Sequence, residues 1–402
     1  MRLPKLWILA AFALLLSHSN SYAQQQDAGI LEALNRVIRP VETLEPEGSF
    51  SDLNFLDEVI ASKNVIGLGE VTHGTAEVFR YKDRLIRYLV TKHSFKAIGF
   101  ESDFIAVEHL DNYINHVADT IKVAGGFPLN DHTRVMLSWL RSYNMDKSAA
   151  DRVHLYGLEL RGFYSISARI LAAAPDLSAA DKQILQKFAR TDYYALTKSD
   201  ISKLKASFPS LRAEQRLNLV SPAVFSHYLD MLSDAIEHFG TTYAGVRDEA
   251  MARNANWMLE QTKNKNLIVW AHNGHVSKAP LFRIKKMGQY LAEAHDYYVV
   301  ATDFSAGDVL VSVKDQGRNK LQAVHYPKPD SRKIYEYYFE QLKYENFFLN
   351  LNASEQMPAL KTFFEQPLNM RMIGSTATPA YVKLAMAKHF DLIVFIKKST
   401  AS

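Results

Sequence analysis

The chain has 402 residues and no cysteine. Disulfides, thiol nucleophiles and Cys-rich zinc sites are thereby excluded, so stability must come from a packed core. Any metal would need His and carboxylate ligands. Glycine and proline are sparse, at 17 and 13, which favours long helices over a turn-dense all-β fold. Excess charge is also lacking. The formal net charge is +4, and two of the positive residues, Arg2 and Lys5, lie in a segment expected to be removed. This balance gives no case for nucleic acid or an anionic membrane as partner. Beyond the first residues no apolar run reaches the length of a transmembrane helix. Missing too are a Gly-x-Ser-x-Gly nucleophile elbow, a Gly-x-Gly-x-x-Gly fingerprint and a phosphate loop. Water attack assisted by His is therefore the simpler chemistry for this chain.

What is present begins with an address. Arg2 and Lys5 precede an unbroken apolar run over residues 6–16, and Ser21-Tyr22-Ala23 supplies small residues before a cleavage point. The pattern predicts a signal peptide over residues 1–23, cut after Ala23, and a periplasmic or secreted product with no stable membrane insertion after cleavage. The remainder, residues 24–402, is 48% hydrophobic and 22% charged when counted with the leader. That is a globular balance, which excludes a disordered or fibrous chain.

Short apolar runs alternate with longer helical patterns. Val65-Ile66-Gly67-Leu68-Gly69 and Ala97-Ile98-Gly99-Phe100 read as buried strands, as do residues 153–158, 267–271, 297–302 and 392–396. Val309, Val311 and Val313 suggest a further strand, compatible with an antiparallel edge. Between the first two strands, Val78, Tyr81, Leu85, Ile86 and Leu89 recur at helical spacing. The expectation is one α/β domain with a mainly parallel central sheet flanked by helices. Residues 165–257 show no strand and read as a helical insertion or cap. The 22 Phe and 20 Tyr suit a large apolar cleft or a core. Tyr193-Tyr194 and Tyr337-Tyr338-Phe339 are candidates for the cleft but fit helix packing better.

Ionisable residues follow the strands: Glu70, Glu101, Glu159, His272 and Asp303. In a parallel sheet these ends share one edge, where open α/β folds bind ligands. Glu70 and His73 are three apart at a glycine-rich turn into a helix, and a His beside a carboxylate can serve as a general base. Trp270-Ala271-His272-Asn273-Gly274-His275 sets a second pair of His residues three apart past a strand. Two glutamates and three His residues could also hold a divalent metal.

These segments resemble the erythromycin esterase family. The resemblance is carried by Leu68-Gly69-Glu70-Val71-Thr72-His73-Gly74-Thr75-Ala76-Glu77, then by Ile98-Gly99-Phe100-Glu101-Ser102-Asp103-Phe104 and Trp139-Leu140-Arg141-Ser142-Tyr143-Asn144. Tyr156-Gly157-Leu158-Glu159, Arg247-Asp248-Glu249-Ala250-Met251-Ala252, Val269-Trp270-Ala271-His272-Asn273-Gly274-His275-Val276 and Met287-Gly288 follow in order. Residues 371–379 and Phe390-Asp391-Leu392-Ile393-Val394-Phe395 are compatible with its C-terminal part.

The resemblance implies hydrolysis of the lactone ester of a macrolide without a covalent enzyme intermediate, without metal or other cofactor, and with macrolide resistance as the outcome. His73 would activate water, and Glu70 and Glu101 would line the cleft. His272 and His275 would orient water or stabilise the oxyanion. Arg80 and Arg247 could neutralise a carboxylate or a developing negative charge. Arg247, Asp303 and Glu159 are the expected substrate-binding residues. Two rival readings remain open at this point: a metal-dependent hydrolase of another ester or a peptide, and a non-catalytic binder of a bulky hydrophobic ligand.

Overall fold

The structure, a computed structural model, describes residue 25 and residues 27–402, except 123–126, 160–162, 192–194, 219, 238, 240–244, 263–264, 316–317, 355 and 379–380. The leader and Tyr193-Tyr194 lie outside the described residues. Among the described residues no helix is long and apolar enough to cross a membrane. The fold is a mixed, mostly parallel sheet arrangement flanked by many helices, as the alternation of apolar runs and helical patterns implied. The strands in chain order are β1 (Arg39–Pro40), β2 (Val65–Glu70), β3 (Ala97–Asp103), β4 (His154–Glu159), β5 (Leu267–His272), β6 (Tyr297–Asp315), β7 (Arg318–Tyr326), β8 (Asn346–Asn350), β9 (Leu368–Arg371), β10 (Tyr381–Leu384) and β11 (Leu392–Ser399).

The described chain falls into two compact units. The first comprises the described residues up to Leu44 with Glu70–Val78 and Val299–Ser402, and the second comprises Glu45–Gly69 and Phe79–Tyr298.

In the second unit the strand order is β2-β5-β3-β4. β3 runs parallel to both neighbours, with Ile98 opposite Leu155 and Ile268. Strands covered on both faces read as unbroken apolar runs, which is why β2 and β5 are buried along nearly their whole length. β3 slips register against β4 between Phe100 and Asp103. Gly157 serves that irregularity, since a Cβ there would stand 2.4 Å from the Phe104 Cα. Asp103 then caps the helix Phe104–Ile114, its Oδ1 accepting the Ile105 and Ala106 amides at 3.1 Å each and meeting donors that the first turn leaves unpaired.

The helix Ala76–Lys92 is more deeply covered than its amphipathic pattern suggests. Beside the apolar face, Lys82, Asp83, Arg84 and Arg87 are buried too. Each has a partner that offsets its lost hydration. Arg84 Nη2 bonds Asp52 at 2.5 Å, Arg87 grips Asp83 at 2.9 and 3.0 Å, and the Lys82 ammonium lies 4.1 Å over the Trp270 ring.

Between β4 and β5 the described residues form five helices and no strand: Phe163–Ala173, Ala179–Phe188, Lys198–Ala213, Pro222–Glu237 and Gly245–Gln261. Side-chain caps begin three of them, Ser221 accepting the Val224 amide at 3.3 Å before Pro222–Glu237. Ser178 accepts the Asp181 amide, and Thr197 forms a reciprocal capping box with Asp200.

In the first unit β8, β11 and β6 lie side by side. β11 is parallel to β6 and antiparallel to β8, and β7 pairs antiparallel with β6. The two strands read around residues 297–302 and 309–313 are one strand of 19 residues. Its apparent break, Ala306-Gly307-Asp308, is where the backbone takes a φ of +133° at Gly307. A Cβ there would meet the Ser399 carbonyl oxygen at 2.0 Å, so only glycine lets the strand continue beside β11. Tyr338 and Phe339 belong to the core, with Phe339 against Phe347 and Phe395.

Candidate active site

The first candidate cluster lies in the Glu70–Val78 segment of the first unit. After β2 the backbone turns through Val71-Thr72-His73-Gly74-Thr75, and most of that turn is tied down. The Val71 carbonyl accepts the Ile373 and Gly374 amides at 3.0 and 3.2 Å, the His73 amide donates to the Gly374 carbonyl at 3.4 Å, and the Leu310 amide donates to the Gly74 carbonyl at 2.9 Å. The Thr72 hydroxyl donates to the Gly374 carbonyl at 2.9 Å. Gly74 allows the approach, because a Cβ would stand 1.9 Å from the Leu310 oxygen. The Glu77 carboxylate accepts the Thr400 amide and hydroxyl at 2.8 and 2.7 Å, fixing the start of the following helix.

This frame sets His73 Nδ1 2.6 Å from Glu70 Oε1. The Glu70 side chain is almost wholly enclosed, whereas that of His73 is 28% exposed. An ionised carboxylate only accepts, so the bond assigns the ring proton to Nδ1 and the lone pair to Nε2. A neutral imidazole oriented in this way, with its accepting nitrogen defined and the ring reachable by water, is equipped to act as a base.

The second cluster centres on Arg247 in the second unit, on the helix Gly245–Gln261. Its Nε and Nη2 bond Glu159 at 2.7 and 3.1 Å. Nη2 also bonds Glu101 at 2.8 Å, and Nη1 faces His275 Nε2 at 2.8 Å. Glu101 and Glu159 thus leave neighbouring strands, β3 and β4, and converge on one guanidinium. Burial works against the Arg247 charge, but the two glutamates outweigh it and raise its pKa further. Four of its N–H groups are engaged, out of the five a guanidinium carries, and the side chain is 42% exposed.

Because Arg247 can only donate, His275 Nε2 accepts from it and the ring proton sits on Nδ1. That nitrogen lies 2.7 Å from Asp248 Oδ1. Asp248 also bonds Lys286 Nζ at 3.2 Å and the Met287 amide at 3.1 Å, the latter at the start of the helix Met287–Ala294. Burial alone would push the Asp248 carboxyl up, yet His275, Lys286 and the Met287 amide hold it below its ordinary value. The Met287-Gly288 pair gains its reason here, since a Cβ on Gly288 would lie 2.0 Å from the Val276 carbonyl oxygen. His272 is partly exposed on the same short turn: its Nδ1 accepts the Gly274 amide at 3.2 Å, and its amide donates to Glu101 Oε2 at 2.8 Å.

Two expected residues are placed elsewhere. Arg80 forms an ion pair with Glu45, an arrangement that needs no substrate. Asp303 in the first unit is fully enclosed, with Glu336 and Arg371 also buried. Burial, reinforced by the charge of Glu336, pushes the Asp303 carboxyl well up, and Arg371 pulls the other way. The Arg371 guanidinium stacks 4.4 Å over Phe304. Direct contact with a bulky substrate needs exposure that Asp303 lacks.

Asp248, Lys286, Glu336 and Arg371 were not singled out from sequence. Asp248 could have been, as the immediate neighbour of Arg247 in a quoted motif. Glu336 and Arg371 meet Asp303 only through the folding of distant segments. Among the described residues, no group of three or more His, Asp or Glu is arranged to hold a metal ion. Two cavities of the second unit, about 450 and 350 Å³, are lined by none of the candidate residues.

A model of the family described as erythromycin esterase matches residues 90–399. The chain belongs to the erythromycin esterase family. It is similar to erythromycin esterase type II of Escherichia coli, 22% identical over 90% of this chain and 96% of that one. A span of that extent necessarily runs across Glu70 and His73, which precede the stretch matched by the family model. It is also similar to erythromycin esterase type I of Escherichia coli, 26% identical over 64% of this chain and 74% of the relative. Among solved structures, an erythromycin esterase mutant in its open conformation has a TM-score of 0.67 at 20% identity, covering 90% of this chain and 98% of that one. This last likeness speaks to the fold alone.

Proposed function

We propose that this family member hydrolyses the lactone ester of a macrolide antibiotic, with His73 as the general base. The observation that carries the reading is the Glu70–His73 pair, 2.6 Å apart, on a turn fixed by bonds to Leu310 and Gly374. In this mechanism His73 Nε2 takes a proton from water as the water oxygen attacks the lactone carbonyl carbon. Glu70 stabilises the imidazolium that forms. The tetrahedral oxyanion collapses, the ring C–O bond breaks, and the departing alkoxide takes the proton from His73. The net change is addition of one water, with no covalent enzyme intermediate.

The second unit carries a donor of its own: among the described residues, the Arg247 guanidinium keeps one N–H beyond those engaged by Glu101, Glu159 and His275, suited to an oxygen that bears negative charge. Glu101, Glu159 and His275 hold the fork in orientation, and His272 braces Glu101 through its amide. Asp303 and Arg80 have no direct part in this scheme. With the leader over residues 1–23 directing export, the enzyme would meet macrolides in the periplasm or outside the cell and confer resistance to them.

The test is incubation of the mature chain with 14- and 16-membered macrolides, read by mass spectrometry, with a chelator-treated sample alongside. The expected result is a product heavier by one water, formed equally with and without chelator. Binding without any product would support a ligand-binding protein, and loss of product on chelation would support a metal-dependent hydrolase. Either result contradicts this reading.

A further inference from the structure

The segment that follows the His272-Asn273-Gly274-His275 turn contains a hairpin of unfavourable composition. Leu281 and Ile284 exchange both backbone hydrogen bonds, at 3.1 and 2.9 Å. They enclose Phe282 and Arg283, whose φ angles are +53° and +62°. Two central residues with positive φ define a type I′ turn, for which Asn-Gly is the favoured pair. A phenylalanine and an arginine each crowd a Cβ against the backbone there. Phe282 is also 69% exposed, so its ring gives up the benefit of burial. Among the described residues, neither side chain makes a ring contact, ion pair or hydrogen bond that would offset these costs. Strain of this kind is characteristic of ligand clamps, where the position of one side chain matters more than local stability.

The base of the turn is rigid and close to the second cluster. Leu281 is buried and packs towards Gly274. Ser277 and Ala279 are joined by two hydrogen bonds at 2.8 and 3.2 Å. On the far side Lys286 is held by Asp248, the same carboxylate that holds His275. The turn therefore projects one bare aromatic ring from a scaffold shared with His275 and Arg247.

We propose that Phe282 is a substrate-binding residue whose ring packs on the apolar face of a bulky cyclic ester. This deepens the reading given above and rests on it for the substrate class. The test compares the native chain with Phe282→Asn/Arg283→Gly, which installs a favoured I′ pair, and with Arg283→Gly, which relieves strain but keeps the ring. KM and kcat are measured on a 14-membered macrolide, and Kd by calorimetry in a His73→Ala background, where binding is read without turnover. Both variants are expected to melt higher than the native chain, confirming that they fold. The double variant should raise KM and Kd about 10-fold with kcat within twofold of native, and Arg283→Gly should leave both constants unchanged. Equal affinity in all three chains overturns the role of Phe282 while leaving the esterase reading intact. Binding without ring opening overturns the esterase reading, and the Kd ratio still decides Phe282. If the native chain neither binds nor opens the ring, both fall.

Discussion

Asp303 resembles Glu70 in sequence, an acidic residue after an apolar strand run, and its surroundings give it different chemistry. Glu70 has a His partner reachable by water. Asp303 faces a second carboxyl, Glu336, inside a closed core with Arg371 as counter-charge. Two adjacent enclosed carboxyls resist joint ionisation, so one proton is retained between them. The folded pKa of Asp303 lies above its unfolded value. The stability linked to its proton is therefore complete below the unfolded pKa of about 3.9 and is lost as pH rises towards the folded value. Asp303→Asn removes that linkage. Unfolding free energies from urea titrations between pH 4 and 8 should rise in the variant relative to the native chain, by about 1.4 kcal/mol per pH unit where the native Asp303 is protonated only in the folded state. Parallel profiles would show that Asp303 is ionised in the fold. No sequence signal could reveal this, because Glu336 and Arg371 lie far along the chain and carry no motif with Asp303.

Among the elements, those covered on both faces were the most legible. β2, β3 and β5 are apolar up to their polar C-terminal ends because the sheet leaves them no wet side, and such runs stand out from their surroundings. β8, by contrast, is five residues flanked by Asn346 and Asn350, too short and too polar at its ends to be distinguished. In sequence β6 shows as an apolar run at 297–302 and an alternating pattern at 309–313, and Gly307 joins them by allowing a close pass beside Ser399. Gly74 shows the same device where it bears on function, by letting the Leu310 backbone reach the His73 turn. In Gly74→Ala the new methyl would collide with the Leu310 backbone, which is no flexible side-chain end. The variant should lose about 3 kcal/mol or more of stability, in the range of severe overpacking, and esterase activity should fall with it as His73 shifts. Unfolding in urea and a lactone-opening assay check both. Native-like values in the two measurements would mean that the turn does not need this contact.

For the whole molecule, two buried His residues limit acid stability, one in each unit. His227, stacked on Trp257 at 3.9 Å, is brought down to about 4 by burial. His389 is also brought down to about 4 by burial, with Lys388 adding to the effect. A depressed His stabilises the fold fully above its unfolded pKa of about 6.5, and that contribution is lost as pH falls through the folded value. Each accounts for up to about 3 kcal/mol between pH 6.5 and 4. Stability should drop across that window, and His227→Gln should flatten the drop by about half. An unchanged slope in the variant would place the acid sensitivity elsewhere.

The members of the candidate site were legible as strand-end acids, paired His residues and a family resemblance. Their partnerships were not. That Arg247 takes both Glu101 and Glu159, or that Asp248 governs His275, depends on how β3, β4 and the helix Gly245–Gln261 meet, which no local spacing encodes.

The central claim is that His73 moves the proton of the attacking water. It is tested most directly by the initial rate of macrolide lactone opening in the native chain, in His73→Ala, and in His73→Ala supplied with free imidazole. A loss of at least about 100-fold, the scale of general base catalysis, with partial recovery in imidazole, is the predicted result. A His73→Ala chain that opens the ring at the native rate would contradict it.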